Sequence, residues 1–245
     1  MSRPPKLRLR RSADRGFEDF GWADNWMTFS FSSYRDPDWV HFGPLRVIVE
    51  NHIQPKGGFP THSHRDVEIV TYVSSGVLTH GDDRGHTAGV GAGEMQHISA
   101  GTAGMFHSEE NHHDEVEHNV QIWLIPDRRP TDFAYHQLGF TREERQGRLR
   151  LYLSPDGRDG SMPANVDAFI YAGLFSPGDT VAHELAEGRG AWLQVVHGKL
   201  SVAGVTLEQG DGLGVEDTSQ LDLTFEADTE LILFDLKMDA KLLWK

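Results

Sequence analysis

The 245-residue chain contains no cysteine. Disulfide frameworks, thiolate zinc sites, iron–sulfur clusters and cysteine nucleophiles are thereby excluded. Long apolar runs are also missing: the unbroken stretches span a few residues, against the ~20 a membrane helix needs. Positive charge is scarce, with 23 Lys and Arg against 37 Asp and Glu and a net charge of −14. That balance disfavours non-specific nucleic-acid binding, which depends on cationic neutralisation of phosphates, and disfavours an anionic membrane surface. The one basic concentration is Arg3, Lys6, Arg8, Arg10, Arg11 and Arg15. No apolar stretch of the secretory-signal kind follows it. It reads as a frayed tail leading into an edge strand of a cytoplasmic protein.

Helical periodicity is scarce as well, and what remains is β. Short β-branched and aromatic runs such as 45–49, 67–73, 120–125, 191–196 and 230–234 are bounded by Gly, Asp, Asn and Pro, the pattern of a sandwich or barrel. A short helix is expected at Met238–Trp244 and a turn at Thr141–Gln146. The polar segment Pro126–Arg150 separates two halves, taken as domains 1–135 and 136–245. The halves echo each other. Tyr72–Leu78 resembles Gln194–Leu200 around Gly76 and Gly198, and Gly91–Glu94 resembles Glu208–Asp211 around Gly93 and Gly210. An internally duplicated β-barrel unit follows from this.

Nine of the 14 histidines lie between His62 and His118. Two pairs have i, i+2 spacing: His62 with His64, and His107 with Glu109. Residues two apart on a strand share a face, so two such strands could present four ligands inward. Imidazole and carboxylate suit a divalent first-row metal. Fe(II) with open positions for O2 or substrate is compatible, and so are Mn, Ni, Cu, Co and Zn. Glu68 shares parity with His62 and His64 on an unbroken strand, and spacing does not separate it from Glu109. His112, His113 and His118 read as a histidine-rich loop, and His80, His86 and His97 as surface or packing residues.

These residues carry a resemblance. His62-Ser63-His64-Arg65-Asp66-Val67-Glu68 with Thr71-Tyr72-Val73 resembles the first cupin motif as the pirin family carries it, and Ser99–Glu109 resembles the pirin form of the second. Gly21-Trp22, Trp26, Thr28–Phe31, Tyr34–Pro37 and Gln121–Leu124 are similar to pirin segments in the same order. Lys56 stands where the general first motif has glycine, and the compact Pro-x-Gly-x-x-His of the general second motif is absent, as is common in pirins. The resemblance implies an all-β bicupin of two jelly-roll-like barrels, with metal in the N-terminal one and a degenerate C-terminal one. It implies His62, His64, His107 and Glu109 as ligands, favouring Glu109 over Glu68. It also implies quercetin 2,3-dioxygenase activity, the opening of a flavonol by O2.

On this reading one divalent ion, Fe(II) foremost, is the cofactor. A flavonol-like aromatic and O2 are the substrates, and Glu109 serves as ligand and base in turn. Glu68 is the alternative, standing behind a ligand histidine. Metal is expected to be lost as pH falls below the histidine range. The competing reading is a metal-binding regulatory pirin that acts through a protein partner without catalysis. A monomer is expected, because a bicupin contains two barrels already. Matching Gly76 to Gly198 places Glu184 and Ala186 opposite His62 and His64. Matching Gly93 to Gly210 places Thr224 and Glu226 opposite His107 and Glu109. The second barrel therefore reads as metal-free. The cluster Trp22, Trp26, Phe29, Phe31, Tyr34, Trp39 and Phe42 is either core or part of an aromatic-substrate wall.

Overall fold

The structure, a computed structural model, describes residues 4–243. It is all-β with two similar units. Each unit has a seven-stranded and a four-stranded antiparallel sheet, apart from one short parallel pair in the second. The first large sheet has the order 134–139, 94–99, 68–75, 117–124, 45–53, 23–27, 16–19. The second has 6–10, 212–216, 189–197, 229–237, 168–175, 150–154, 162–163. The small sheets run 58–64, 105–110, 77–82, 87–91 and 180–184, 220–225, 199–202, 205–208. Apart from the outermost strands, the strand order is the same in both units and bears out the internal echo. Gly76, Gly198, Gly93 and Gly210 all have φ between 78° and 90°, a left-handed conformation that glycine adopts without penalty.

The two large sheets face each other, and the period of two along each strand divides their side chains. Val70, Tyr72, Val120, Ile122 and Leu124 from the first unit join Trp192, Val196, Ile232, Phe234 and Leu236 from the second in one core between the units. Trp192 is fully buried, with Phe29 and Phe42 at ring-centroid distances of 5.0 and 5.5 Å. The alternate residues point into each unit. In the second they form one continuous apolar core that includes Leu193, Val195, Leu221, Leu223 and Phe225. In the first they form three smaller clusters.

One outer strand of each large sheet comes from outside that unit's own run of strands. Lys6–Arg10 pairs with Gly212–Glu216 of the second unit. Ala134–Gly139 pairs with Glu94–Ser99 of the first, so residues 135 and 136 lie within one strand. The exchange covers edges that would otherwise expose unpaired backbone groups. The basic segment is thus structural: Arg8 and Arg10 stack over Trp39 at 4.4 and 4.8 Å, Arg11 pairs with Asp211, and Arg15 with Glu50. Arg3 lies outside the described residues. Thr141 and Glu144 form a reciprocal capping box that starts a helical turn at Arg142–Arg145, where a turn was expected. The helix expected at Met238–Trp244 is not formed over its described part. Met238 and Asp239 make a turn that leads to irregular chain; Met238 packs on the inter-unit core, and Trp244 lies outside the described residues. Among the described residues no helix is long and apolar enough to cross a membrane.

A buried ionic knot ties the units together. Glu230 accepts from Tyr72, from Ser74 at 2.6 Å and from Arg145 at 3.1 Å, while Arg145 also donates to the Tyr72 hydroxyl at 2.7 Å. Removing one partner of such a pair strands a buried charge, at a cost of ~3–5 kcal/mol. Arg145→Ala is expected to lower the unfolding free energy by about 3 kcal/mol, read as a fall in the urea midpoint at unchanged slope.

Candidate metal centre

The site begins with a bulge. Strands 58–64 and 105–110 pair so that His107 faces His62, but Glu109 faces Phe59. The extra residue falls at Pro60–Thr61, and proline, which has no N–H to pair, suits a bulge. Gly58 permits the closest approach: a Cβ there would lie 2.5 Å from the Glu110 Cα. The bulge also leaves the Pro60 carbonyl free to accept from His62 Nδ1 at 2.8 Å. That bond fixes the tautomer and leaves the lone pair of His62 on Nε2.

His62 Nε2 lies 3.0 Å from His107 Nε2, and the nitrogens of His62, His64 and His107 all lie within 4.8 Å of one another. The His64 ring is 4.8 Å from each of the other two and 4.9 Å from Trp123. His64 Nε2 is buried without a partner. Burial, together with the neighbouring imidazoles, pushes both His64 and His107 down to about 3. The rings are therefore neutral at physiological pH, the form that binds metal. Three convergent imidazoles, two of them with a buried nitrogen that has no partner, form a site able to hold a metal ion.

Glu109 lines the same cavity but stands outside the 4.8 Å cluster. Its carboxylate is buried and accepts from Gln121 at 2.6 Å and Thr71 at 3.3 Å. Both donors are uncharged. Among the described residues no Lys or Arg forms a salt bridge with Glu109.

Glu68 is not at this site, contrary to the parity argument. The strand breaks at Arg65–Val67, where Asp66 takes a φ of 55°. Glu68 restarts it in the large sheet, facing the second unit. There it bonds His97 at 2.7 Å, Ser99 at 2.8 Å and the Asn165 side chain at 3.2 Å. His97 is thus a packing residue of the inter-unit face. His80 is fully buried and bonds Asp82, which also contacts the half-exposed His86. His118 lies on strand 117–124 rather than in the loop that holds His112 and His113.

Beside the histidines is a cavity of about 400 Å³, within the ~300–1,000 Å³ typical of small-molecule sites. Its apolar wall includes Phe20, Met27, Phe31, Val49, Phe59 and Trp123, and its polar groups include Asn25, Asn51 and Gln121. The N-terminal aromatics divide accordingly. Phe31 lines the cavity, and Phe29, Trp39 and Phe42 pack between the units. Trp22 stacks with Phe20 and Phe59, and Trp26 sits against Phe17 and His52. Trp123, Phe59, Gln121 and Thr71 escaped the sequence reading. The i, i+2 spacing of Gln121 and Trp123 was a usable signal, but only once their strand's inward face was known.

In the second unit the glycine matching misplaces the counterparts. His183 pairs with Leu221 and Val202 with Leu223. These registers set His183 and Leu185 opposite His62 and His64, and Leu221 and Leu223 opposite His107 and Glu109. Loop lengths differ between the repeats, so the offset from glycine does not carry across. Leu185, Leu221 and Leu223 belong to the apolar core of that unit, and His183 bonds Asp235 at 3.2 Å.

Behind the cavity, Asn51 donates to Asn119, which donates to Glu117. Burial, with the Glu109 charge adding to it, pushes the Glu117 carboxyl up to about 8 against the Asn119 hydrogen bond.

The whole construction is that of a metal-binding bicupin, and comparison with known proteins agrees. Residues 7–124 match the Pirin family, and residues 151–236 match the quercetinase C-terminal cupin domain. The chain belongs to the pirin family. It is 40% identical over 229 residues to the quercetin 2,3-dioxygenase of Escherichia coli K12, covering 93% of this chain and 97% of that protein. It is 34% identical to a pirin-like protein of Caulobacter vibrioides, covering 90% and 95% of the two chains. The crystal structure of the E. coli bacterial pirin YhhW in complex with nickel(II) superposes with a TM-score of 0.89 at 38% identity, over 95% of this chain and 99% of that one.

The Glu117 carboxyl makes stability pH-dependent. Below pH 4.5, the ordinary value, both folded and unfolded chains hold the proton. Between there and about 8 only the folded chain keeps it, so the unfolded state binds fewer protons and stability falls as pH rises. Thermal midpoints from pH 5 to 9 should fall more steeply for the native chain than for Glu117→Gln.

Proposed function

We propose that this protein is a metal-dependent dioxygenase that opens flavonols such as quercetin with O2, and that His62, His64, His107 and Glu109 hold the divalent ion of its active site. The observation that carries the reading is the three-histidine cluster, with unpartnered nitrogens on His64 and His107, at the floor of an aromatic-walled cavity. The identity with a named quercetin 2,3-dioxygenase supports it. Fe(II) is the expected ion. A bound divalent ion would supply Lewis acidity toward the adjacent 3-hydroxyl and 4-keto oxygens of a flavonol.

The residues of this chain do the rest. The cavity is lined by the indole of Trp123 and the rings of Phe31 and Phe59, with Met27 and Val49, surfaces suited to a flat aromatic. Trp123 Nε1, both side-chain polar atoms of Asn25 and Asn51 Oδ1 are buried without partners at its lining residues. They suit the hydroxyl groups of a polyphenol, because an unmatched buried polar atom costs ~1–3 kcal/mol until it finds a partner. Glu109 takes the 3-hydroxyl proton. The same carboxylate would serve as a ligand of the bound ion. Gln121 and Thr71 are positioning residues that hold it between these roles.

The test is quercetin-dependent O2 uptake by protein of measured metal content. His62→Ala should lose both the ion and turnover. Glu109→Gln should lower kcat by ~10²-fold or more, the scale of general-base catalysis. Trp123→Phe should keep the ion and raise KM about three- to tenfold, the worth of one hydrogen bond. Fully loaded protein that consumes no O2 with quercetin would overturn the flavonol reading and leave the ion's ligands standing.

A further inference from the structure

A second group of ligand atoms lies on the first large sheet, on the face turned away from the cavity. His52 and His118 are direct cross-strand partners on strands 45–53 and 117–124, and Glu50 lies two residues before His52 on the same face. Glu50 Oε1 is 3.0 Å from His118 Nε2 and 3.8 Å from His52 Nε2. The two imidazole centroids are 4.4 Å apart. Donors around a zinc ion at ~2.0–2.1 Å in tetrahedral geometry lie about 3.3 Å from each other, between the two observed separations.

The group is prepared for this. Glu50 is buried, and its second oxygen, Oε2, is held by Arg15 at 2.6 Å, so the carboxylate is oriented with Oε1 toward the histidines. Trp26 fixes the His52 ring from the side at 4.9 Å. The His52 side chain remains one-third exposed, at 33%, so an ion has a way in and a solvent-facing fourth position. His118 also lines a groove between the two units, shared with His197 and Gln209.

We propose that Glu50, His52 and His118 form a second site for a divalent d-block cation such as zinc, distinct from the three-histidine cluster and on the other side of the sheet. It has two imidazole nitrogens, one carboxylate oxygen and one open position. The Arg15 charge on the same carboxylate makes it the weaker of the two sites. An ion there would bridge the two central strands of the first large sheet beside the inter-unit groove, and would stabilise the folded chain by binding it alone.

The experiment is equilibrium dialysis of the full chain against zinc with metal analysis, on the native protein and on His52→Asn, His118→Asn, His62→Ala and His112→Ala. Native protein should hold two equivalents. His52→Asn and His118→Asn should each lose one, and the zinc-induced rise in thermal midpoint should shrink in both. His62→Ala should lose the other equivalent, and His112→Ala neither. His52 is partly exposed, so its variant tests the site even where His118→Asn fails to fold. A single equivalent that survives His52→Asn overturns the proposal. So do two equivalents that persist in that variant, or loss of the second in His112→Ala, which would place the ion on the exposed loop. A single equivalent lost in His52→Asn and kept in His62→Ala upholds this site while removing zinc from the three-histidine cluster.

Discussion

The packing of one large sheet against the other governs most of what the chain does. Burying Val70, Tyr72, Val120 and Ile122 against the second unit commits every alternate residue of those strands to the opposite face. Thr71, Gln121 and Trp123 are thereby aimed into the first unit, where they hold Glu109, meet His64 edge-on and line the cavity. A slip of one residue would exchange the two sets, putting Tyr72 at the histidines and Gln121 in the inter-unit core. The apolar core between the units is thus the reason the polar face inside the first unit has a single register.

The two units show what a polar site does to a core. Facing positions in the second are Leu221, Leu223 and Phe225, and its interior closes into one apolar cluster. In the first, His62, His64, His107 and Glu109 take the middle, and the apolar side chains are left in three separate groups. The site is kept chemically ready by local means: the Pro60 carbonyl sets the His62 tautomer, and burial, with the neighbouring imidazoles adding to it, keeps His64 and His107 neutral. The Glu230–Tyr72–Arg145 knot and the Lys6–Arg10 strand paired into the second unit's sheet tie the units together.

Much of this was legible from residue order. The strand runs, the paired glycines and the two i, i+2 pairs pointed to a duplicated β fold and to His62, His64 and His107 as neighbours. Glu68 was not legible. Its parity with His62 holds only on a continuous strand, and the left-handed Asp66 breaks that strand and redirects Glu68 toward Asn165. His118 looked like the end of a histidine-rich loop, but its strand begins one residue earlier, at Glu117. The basic N-terminal segment looked frayed, yet its partners Trp39, Asp211 and Glu50 are far away in the chain.

By itself the sequence determined the fold class, the doubling of the unit and the chemistry of the candidate donors, because these follow from local periodicity, turn residues and side-chain type. The tertiary structure alone decided which carboxylate shares the cavity with the histidines, which aromatics wall that cavity and which sheet each edge strand joins. Each of these depends on where a strand breaks, bulges or changes sheets, and such choices are made by contacts between residues distant in the chain.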